Sequence, residues 1–123
     1  MDRGQALAER LKSRDFRTAL KLANIENGIA FQLIAMMGLR GWNQRELARR
    51  SGIAQPLISK YLRGYENYTV YTLDKLADAF DVSLVVRFEP YSQLLEYHNN
   101  MNSESLAVPS YSEDAEREQA RGP

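Results

Sequence analysis

The chemistry this chain can offer is concentrated between Asn43 and Gly64, NQRELARRSGIAQPLISKYLRG. The amides of Asn43, Gln44 and Gln55 and the hydroxyl of Ser59 can donate and accept hydrogen bonds. From Arg40 to Gly64 six cations (Arg40, Arg45, Arg49, Arg50, Lys60, Arg63) stand against one anion (Glu46), a net of +5. Such side chains exchange hydrogen bonds with polar edges and neutralise a polyanion. Nothing beside them completes a catalytic constellation. With no Cys there is neither a thiol nucleophile nor a thiolate metal site, and the single His98, in the polar run His98-Asn99-Asn100, cannot build a zinc site by itself. There is no Gly-rich phosphate loop, and Asp78 and Asp81, near a helix end, read as capping or solvated carboxylates. The sequence therefore predicts no enzyme, no metal and no cofactor.

Two short helices joined by a tight turn would position these groups. Gln44, Leu47 and Ala48 fall on one face of the first, and Ile58, Tyr61 and Leu62 on one face of the second, at i, i+3 and i+4. Gly52 follows the basic run Arg49-Arg50-Ser51, where a helix ends and a positive φ is wanted. Ile53 is placed to plug the angle between the helices. Pro56 lies in the first turn of the second helix, where its missing N–H costs nothing. In this order the signals describe a helix-turn-helix.

The same residues resemble a known family. Gln44-x-x-x-Ala48-x-x-x-Gly52-Ile53, then Gln55-Pro56-x-Ile58-Ser59, then Gly64, is similar to the DNA-binding motif of the Cro/phage-repressor type, the XRE family. The resemblance covers roughly Ile29 to Val82 and implies a repressor-type helical bundle with one helix before the motif and one after. One departure is plain: the family usually carries Glu two residues before that Gly, and here the position is Leu62.

The resemblance implies that the first helix crosses the DNA backbone and the second enters the major groove. The outward side of the second helix would then show Gln55, Pro56, Ser59, Lys60 and Arg63. Gln55, at the end that reaches deepest, is the first choice for a base reader, since its amide matches the N6 and N7 edge of adenine. Pro56 offers only apolar contact, such as a thymine methyl. Ser59 and Lys60 can each reach a base or a phosphate. Gln44 corresponds to a family position that contacts phosphate and braces the glutamine opening the recognition helix. Asn43, Arg45, Arg40 and Arg63 are further backbone contacts, as are Tyr65 and Asn67 in the following loop. Arg49 and Arg50 suit the dipole at a helix C-terminus and read as structural or solvated.

Across 123 residues, 44% apolar and 26% charged, there is room for one small core with appendages. The net charge is zero, but it is unevenly spread: Glu89 to Pro123 holds seven anions and two cations, a net of −5, against +5 in the motif. No uninterrupted apolar run has the length to cross a bilayer, and the start MDRGQALAERLK has no signal-peptide pattern, so the expectation is a cytoplasmic protein with no membrane partner.

Residues 1–26 read as an amphipathic helical extension, with Ser13 or Asp15 capping a second helix near Phe16. Asn27-Gly28 reads as a break, and 27–82 as the helix-turn-helix domain. In its first helix Phe31, Ile34, Ala35 and Gly38 form one stripe, with Leu33 and Met37 beside it. So apolar a helix should be buried on more than one side, with the N-terminal segment as its cover. After Gly64, Thr69 is an N-cap for a helix from Val70 to Phe80, whose stripe is Val70, Leu73, Leu76, Ala77 and Phe80.

Residues 83–111 read as a strand and a short helix for packing or dimerisation. Ser83 to Phe88 is a strand by β-branched content and alternation, with Leu84, Val86 and Phe88 on one face. Its partner is either the same strand of a second subunit or Leu106-Ala107-Val108 of this chain. Tyr91 to His98 reads as a helix, and the acidic tail 112–123 as disordered. The fold expected is thus mainly α, a repressor-type helix-turn-helix bundle with an N-terminal helical extension and a C-terminal strand plus short helix.

The leading function is a transcriptional regulator, a repressor, reading an inverted repeat in double-stranded DNA as a homodimer through Leu84, Val86 and Phe88. One alternative is an antitoxin that also neutralises a toxin protein. Another is a helical interaction module that no longer binds DNA.

Overall fold

The computed structural model describes residues 2–64 and 67–122, and every regular element in it is a helix. Asp2 and Gln5 form a reciprocal capping box that starts α1 (Arg3–Arg10). Ser13 caps the next helix by accepting from Phe16 N–H at 3.3 Å, and α2 then runs unbroken over Arg14–Arg40. The expected break at Asn27-Gly28 does not form. A glycine inside a helix costs only about 1 kcal/mol, and the chain at Met101 packs on α2 there. Met101 Cε lies 3.9 Å from where a Cβ on Gly28 would stand.

Because α2 is continuous, residues 14–26 extend it instead of folding back over it, and α1 packs against the helix of residues 91–100. The inward stripe is Ala30, Leu33, Met36 and Met37, while Phe31 and Ile34 are 55% and 51% exposed. The stripe drawn from sequence is therefore turned away from the core. A helix apolar on all sides gives the sequence no way to choose a face. By length and composition α2 is also long and apolar enough to cross a bilayer, although no uninterrupted run suggested it. In this fold its C-terminal half supplies Leu33, Met36 and Met37 to the core instead.

Gly41 ends α2 in the left-handed conformation and Asn43 opens α3 (Gln44–Ser51), its side chain accepting from Glu46 N–H at 2.9 Å. Gly52, at φ +73°, closes α3 and α4 (Gln55–Leu62) follows. Ile53 is buried between them, as expected. Thr69 caps α5 (Val70–Phe80) through a 3.0 Å bond from Thr72 N–H, also as expected. Leu47, Ile58 and Phe80 are fully buried at the centre, each contributing about 1.5–3 kcal/mol of apolar burial. Leu62, where the family pattern has Glu, is half-buried against the same cluster. Val70, expected on the inward stripe of α5, is 64% exposed.

Past Asp81 the expected strand is absent. From Val82 to Pro90 the chain is drawn out, with no helix, turn or bend, but it has no ladder partner among the described residues, and Ser83 to Pro90 are exposed throughout. A strand exists only when its backbone groups are paired. The internal candidate is not available, since Leu106 ends the short helix α7 (Ser103–Leu106) and Val108 packs on the core. The expected short helix is present as α6 (Tyr91–Asn100).

The tail is a helix, α8 (Tyr111–Arg121), not a disordered segment. Tyr111 N–H donates to the Asp81 carbonyl at 2.9 Å and so anchors it. Along it, Glu113–Arg117 and Glu118–Arg121 are ion pairs at helical spacing. The lack of any apolar residue larger than Ala from Ser112 onward argued for disorder; the spacing of opposite charges favours the helix.

Candidate nucleic-acid interface

The turn at Gly52 and the buried Ile58 and Tyr61 fix which way α4 faces. With those two side chains inward, Gln55, Pro56, Lys60 and Arg63 are exposed and Ser59 is half-buried. Gln55, Pro56 and Lys60 thus lie together on the outward side of one eight-residue helix, with Arg63 as its C-cap. Pro56 is in its first turn, and the N-cap Ala54 makes no side-chain cap bond. The Tyr61 and Tyr68 rings meet tilted by 39° with centroids 4.9 Å apart, and the Tyr68 hydroxyl donates to the Tyr61 carbonyl at 3.1 Å, which ties the end of α4 to the chain before α5.

At the start of α3, Asn43 and Arg45 are exposed and Gln44 is half-buried. Asn43 is occupied by capping Glu46 N–H. Among the described residues no hydrogen bond joins Gln44 to Gln55, so the brace implied by the family resemblance is not formed in the free protein. Asn67 is exposed, whereas Tyr65 lies outside the described residues.

Arg40 is engaged inside the fold. Its guanidinium donates to the Met36 carbonyl at 3.1 Å and to the Phe80 carbonyl at 2.9 Å, and it lies over the rings of Trp42 and Phe80. Burial lowers its pKa, while Glu113 and Asp81 pull the other way. A phosphate would have to draw this side chain away from two carbonyls.

One local cluster was not read from the sequence. The Glu46 carboxylate accepts from Arg49 Nη2 and from Arg50 Nε, each at 2.6 Å. These bonds, Arg49 first, hold the Glu46 carboxyl down at about 2. Arg50 also lies 4.3 Å over the Trp42 ring. The i, i+3 and i+4 spacing of Glu46, Arg49 and Arg50 is the signal that could have found it. Two of the six motif cations are thereby partly neutralised by the motif's one anion.

No cluster of His, Cys, Asp or Glu able to hold a metal occurs among the described residues. What this surface presents is a polar and cationic helix on a rigid apolar base, which defines a helix-turn-helix DNA-binding domain. Residues 33–86, a little under half of the chain, match the family model described as Helix-turn-helix, and this segment is a domain of the Cro-type, XRE class. Such a domain implies DNA binding, typically in transcriptional regulation. Comparison with curated proteins and with solved structures finds no match.

Proposed function

We propose that this chain is a sequence-specific transcriptional repressor of the cytoplasm that reads an inverted-repeat operator as a homodimer. The observation that carries the reading is the two-sidedness of α4. Ile58 and Tyr61 are buried, while Gln55, Pro56 and Lys60 are exposed on the other side. A hairpin that only packs has no need of that polar face. Gln55 reads adenine, Pro56 meets a thymine methyl, and Ser59 and Lys60, further along the helix, reach bases or phosphates. Asn43, Gln44, Arg45, Arg63 and Asn67 hold the phosphate backbone. One such helix spans only a few base pairs, so two copies related by a two-fold axis are needed for a full operator.

Selection from random duplex DNA, followed by binding to the winning sequence over a range of salt, tests this. An enriched inverted repeat with half-sites about one turn apart, bound less tightly as salt rises, is the expected result. Failure to enrich any sequence would overturn it.

A second reading, an antitoxin-like regulator that also holds a protein partner, is favoured by the exposed Phe31 and Ile34 on the outer face of α2. Co-expression with the product of the adjacent gene tests it. A stoichiometric complex that is lost on replacing both residues with Ser supports that reading, and no complex removes it.

A further inference from the structure

The segment from Ser83 to Glu89 carries apolar side chains that its own chain does not cover. Leu84, Val85 and Val86 are 39%, 71% and 65% exposed, and Phe88 is fully exposed. Beside it Val70 and Tyr71 at the start of α5 are also exposed, and with Ala77, Leu84 and Val86 they line a shallow groove. Leu84 and Val86 line the groove, with Ser83 at its edge. In a drawn-out chain alternate residues face opposite ways, so Phe88, which lies beyond the groove, continues the side of Leu84 and Val86, and Val85 and Arg87 take the other. Arg87 pairs with Glu89 at 2.6 Å, leaving the segment without net charge.

We infer that the groove is filled by a second copy of this chain, through an antiparallel pairing of 83–89 whose two-fold axis passes through Val86. This rests on the reading of the protein as a dimeric operator binder and supplies its register. The pattern selects the register. Residues directly opposite in an antiparallel pair point to the same face. Centring the axis on Val86 puts Leu84 opposite Phe88 of the second copy, Val86 opposite Val86, and Val85 opposite Arg87. All apolar groove-side residues then meet one another, and all seven residues pair. A slip by one residue sets Leu84 against Arg87 and splits the apolar face.

The occupant is a second copy because one segment supplies both halves of the fit. Its Arg87–Glu89 pair presents no unbalanced charge to an identical neighbour, and Phe88, which has no contact surface on its own chain, falls beside Leu84 at the other chain's groove. A bare two-stranded ribbon is marginal in water. Packing its apolar face on Val70 and Tyr71 of both copies provides the missing burial.

The chain has no Cys, so single cysteines report this arrangement without background. Val86→Cys should oxidise to a covalent dimer at least about tenfold faster than Leu84→Cys or Phe88→Cys, because opposite Cβ atoms are about 5 Å apart. The two Leu84 positions, and likewise the two Phe88 positions, are separated by about 13 Å along the ribbon. Mixing Leu84→Cys with Phe88→Cys protein should restore cross-linking between the two. All three sites are exposed, and sedimentation of the reduced proteins should give dimers. A monomer in sedimentation, or self-cross-linking at 84 or 88 as fast as at 86, would overturn the inference. A monomer that still selects a DNA sequence overturns the interface alone, whereas a cross-linked dimer that selects none overturns the operator reading and leaves the interface standing.

Discussion

The Arg40 guanidinium donates to the carbonyl of Phe80 at 2.9 Å, forty residues further along the chain. That bond, with a second to the Met36 carbonyl, joins the C-terminal ends of α2 and α5 over the stacked rings of Trp42 and Phe80, whose centroids are 5.3 Å apart. The Phe80 carbonyl, which has no intrahelical partner at the end of α5, is satisfied by this cation.

Arg40→Ala should therefore lower stability by about 1–2 kcal/mol, the scale of charged hydrogen bonds discounted for partial exposure. It should leave the salt dependence of DNA binding unchanged. Urea melts and a salt titration check the two parts. A reduced salt slope with unchanged stability would make Arg40 a phosphate contact instead.

Gly64 ends the recognition helix at φ +78°, and a Cβ there would stand 2.9 Å from Asn27 Oδ1. Gly52 has a similar φ of +73° but open space around it. Gly52→Ala should cost about 1–2 kcal/mol from the backbone conformation alone. Gly64→Ala should cost more, because Asn27 must also move. Denaturant melts of the two variants test the order.

Glu46 is held at about 2 by Arg49 and Arg50, well below its ordinary 4.5. A carboxylate depressed in the folded state adds stability that is present above the unfolded value. That stability is lost as pH falls from about 4.5 toward about 2. Urea melts at pH 5 and pH 3 should show the loss, and Glu46→Gln should make the profile flatter. Because Arg49 and Arg50 are not among the phosphate contacts, Glu46→Gln should leave the salt slope of DNA binding unchanged; a steeper slope would place these arginines on the phosphates.

Gln55→Ala should lose discrimination at one base-pair position by about 1–3 kcal/mol while retaining binding elsewhere. Equal loss on all sequences would assign Gln55 to the phosphates. Lys60→Ala separates the same two roles: a smaller salt slope marks a phosphate contact, and relaxed base choice marks a reader.

The motif was legible from its residues because its signals are local. Gly52 ends a helix through its own φ, Asn43 and Thr69 cap the helices that begin one residue later, and i, i+3, i+4 spacing puts Ile58 and Tyr61 on one side of α4. Each acts within one turn of chain, so sequence alone determined the helix-turn-helix and which side of α4 is turned outward.

Where local signals conflict or are silent, the tertiary structure decided. Gly28 argued for a break that packing of the following chain overrode, and the all-round apolar surface of α2 left its inward face to be set by packing against α4, α7 and the shared core. Arg40 reads as one more motif cation until the Phe80 carbonyl is brought beside it. The tail helix depends on a bond from Tyr111 to Asp81, thirty residues apart in sequence. Ser83 to Phe88 has the composition of a strand, but a ladder is a relation between two segments, and one chain supplies only one of them. The sequence by itself determined the elements held by neighbours in the chain; pairings between distant residues, whose free energy depends on what the fold brings together, were decided only in three dimensions.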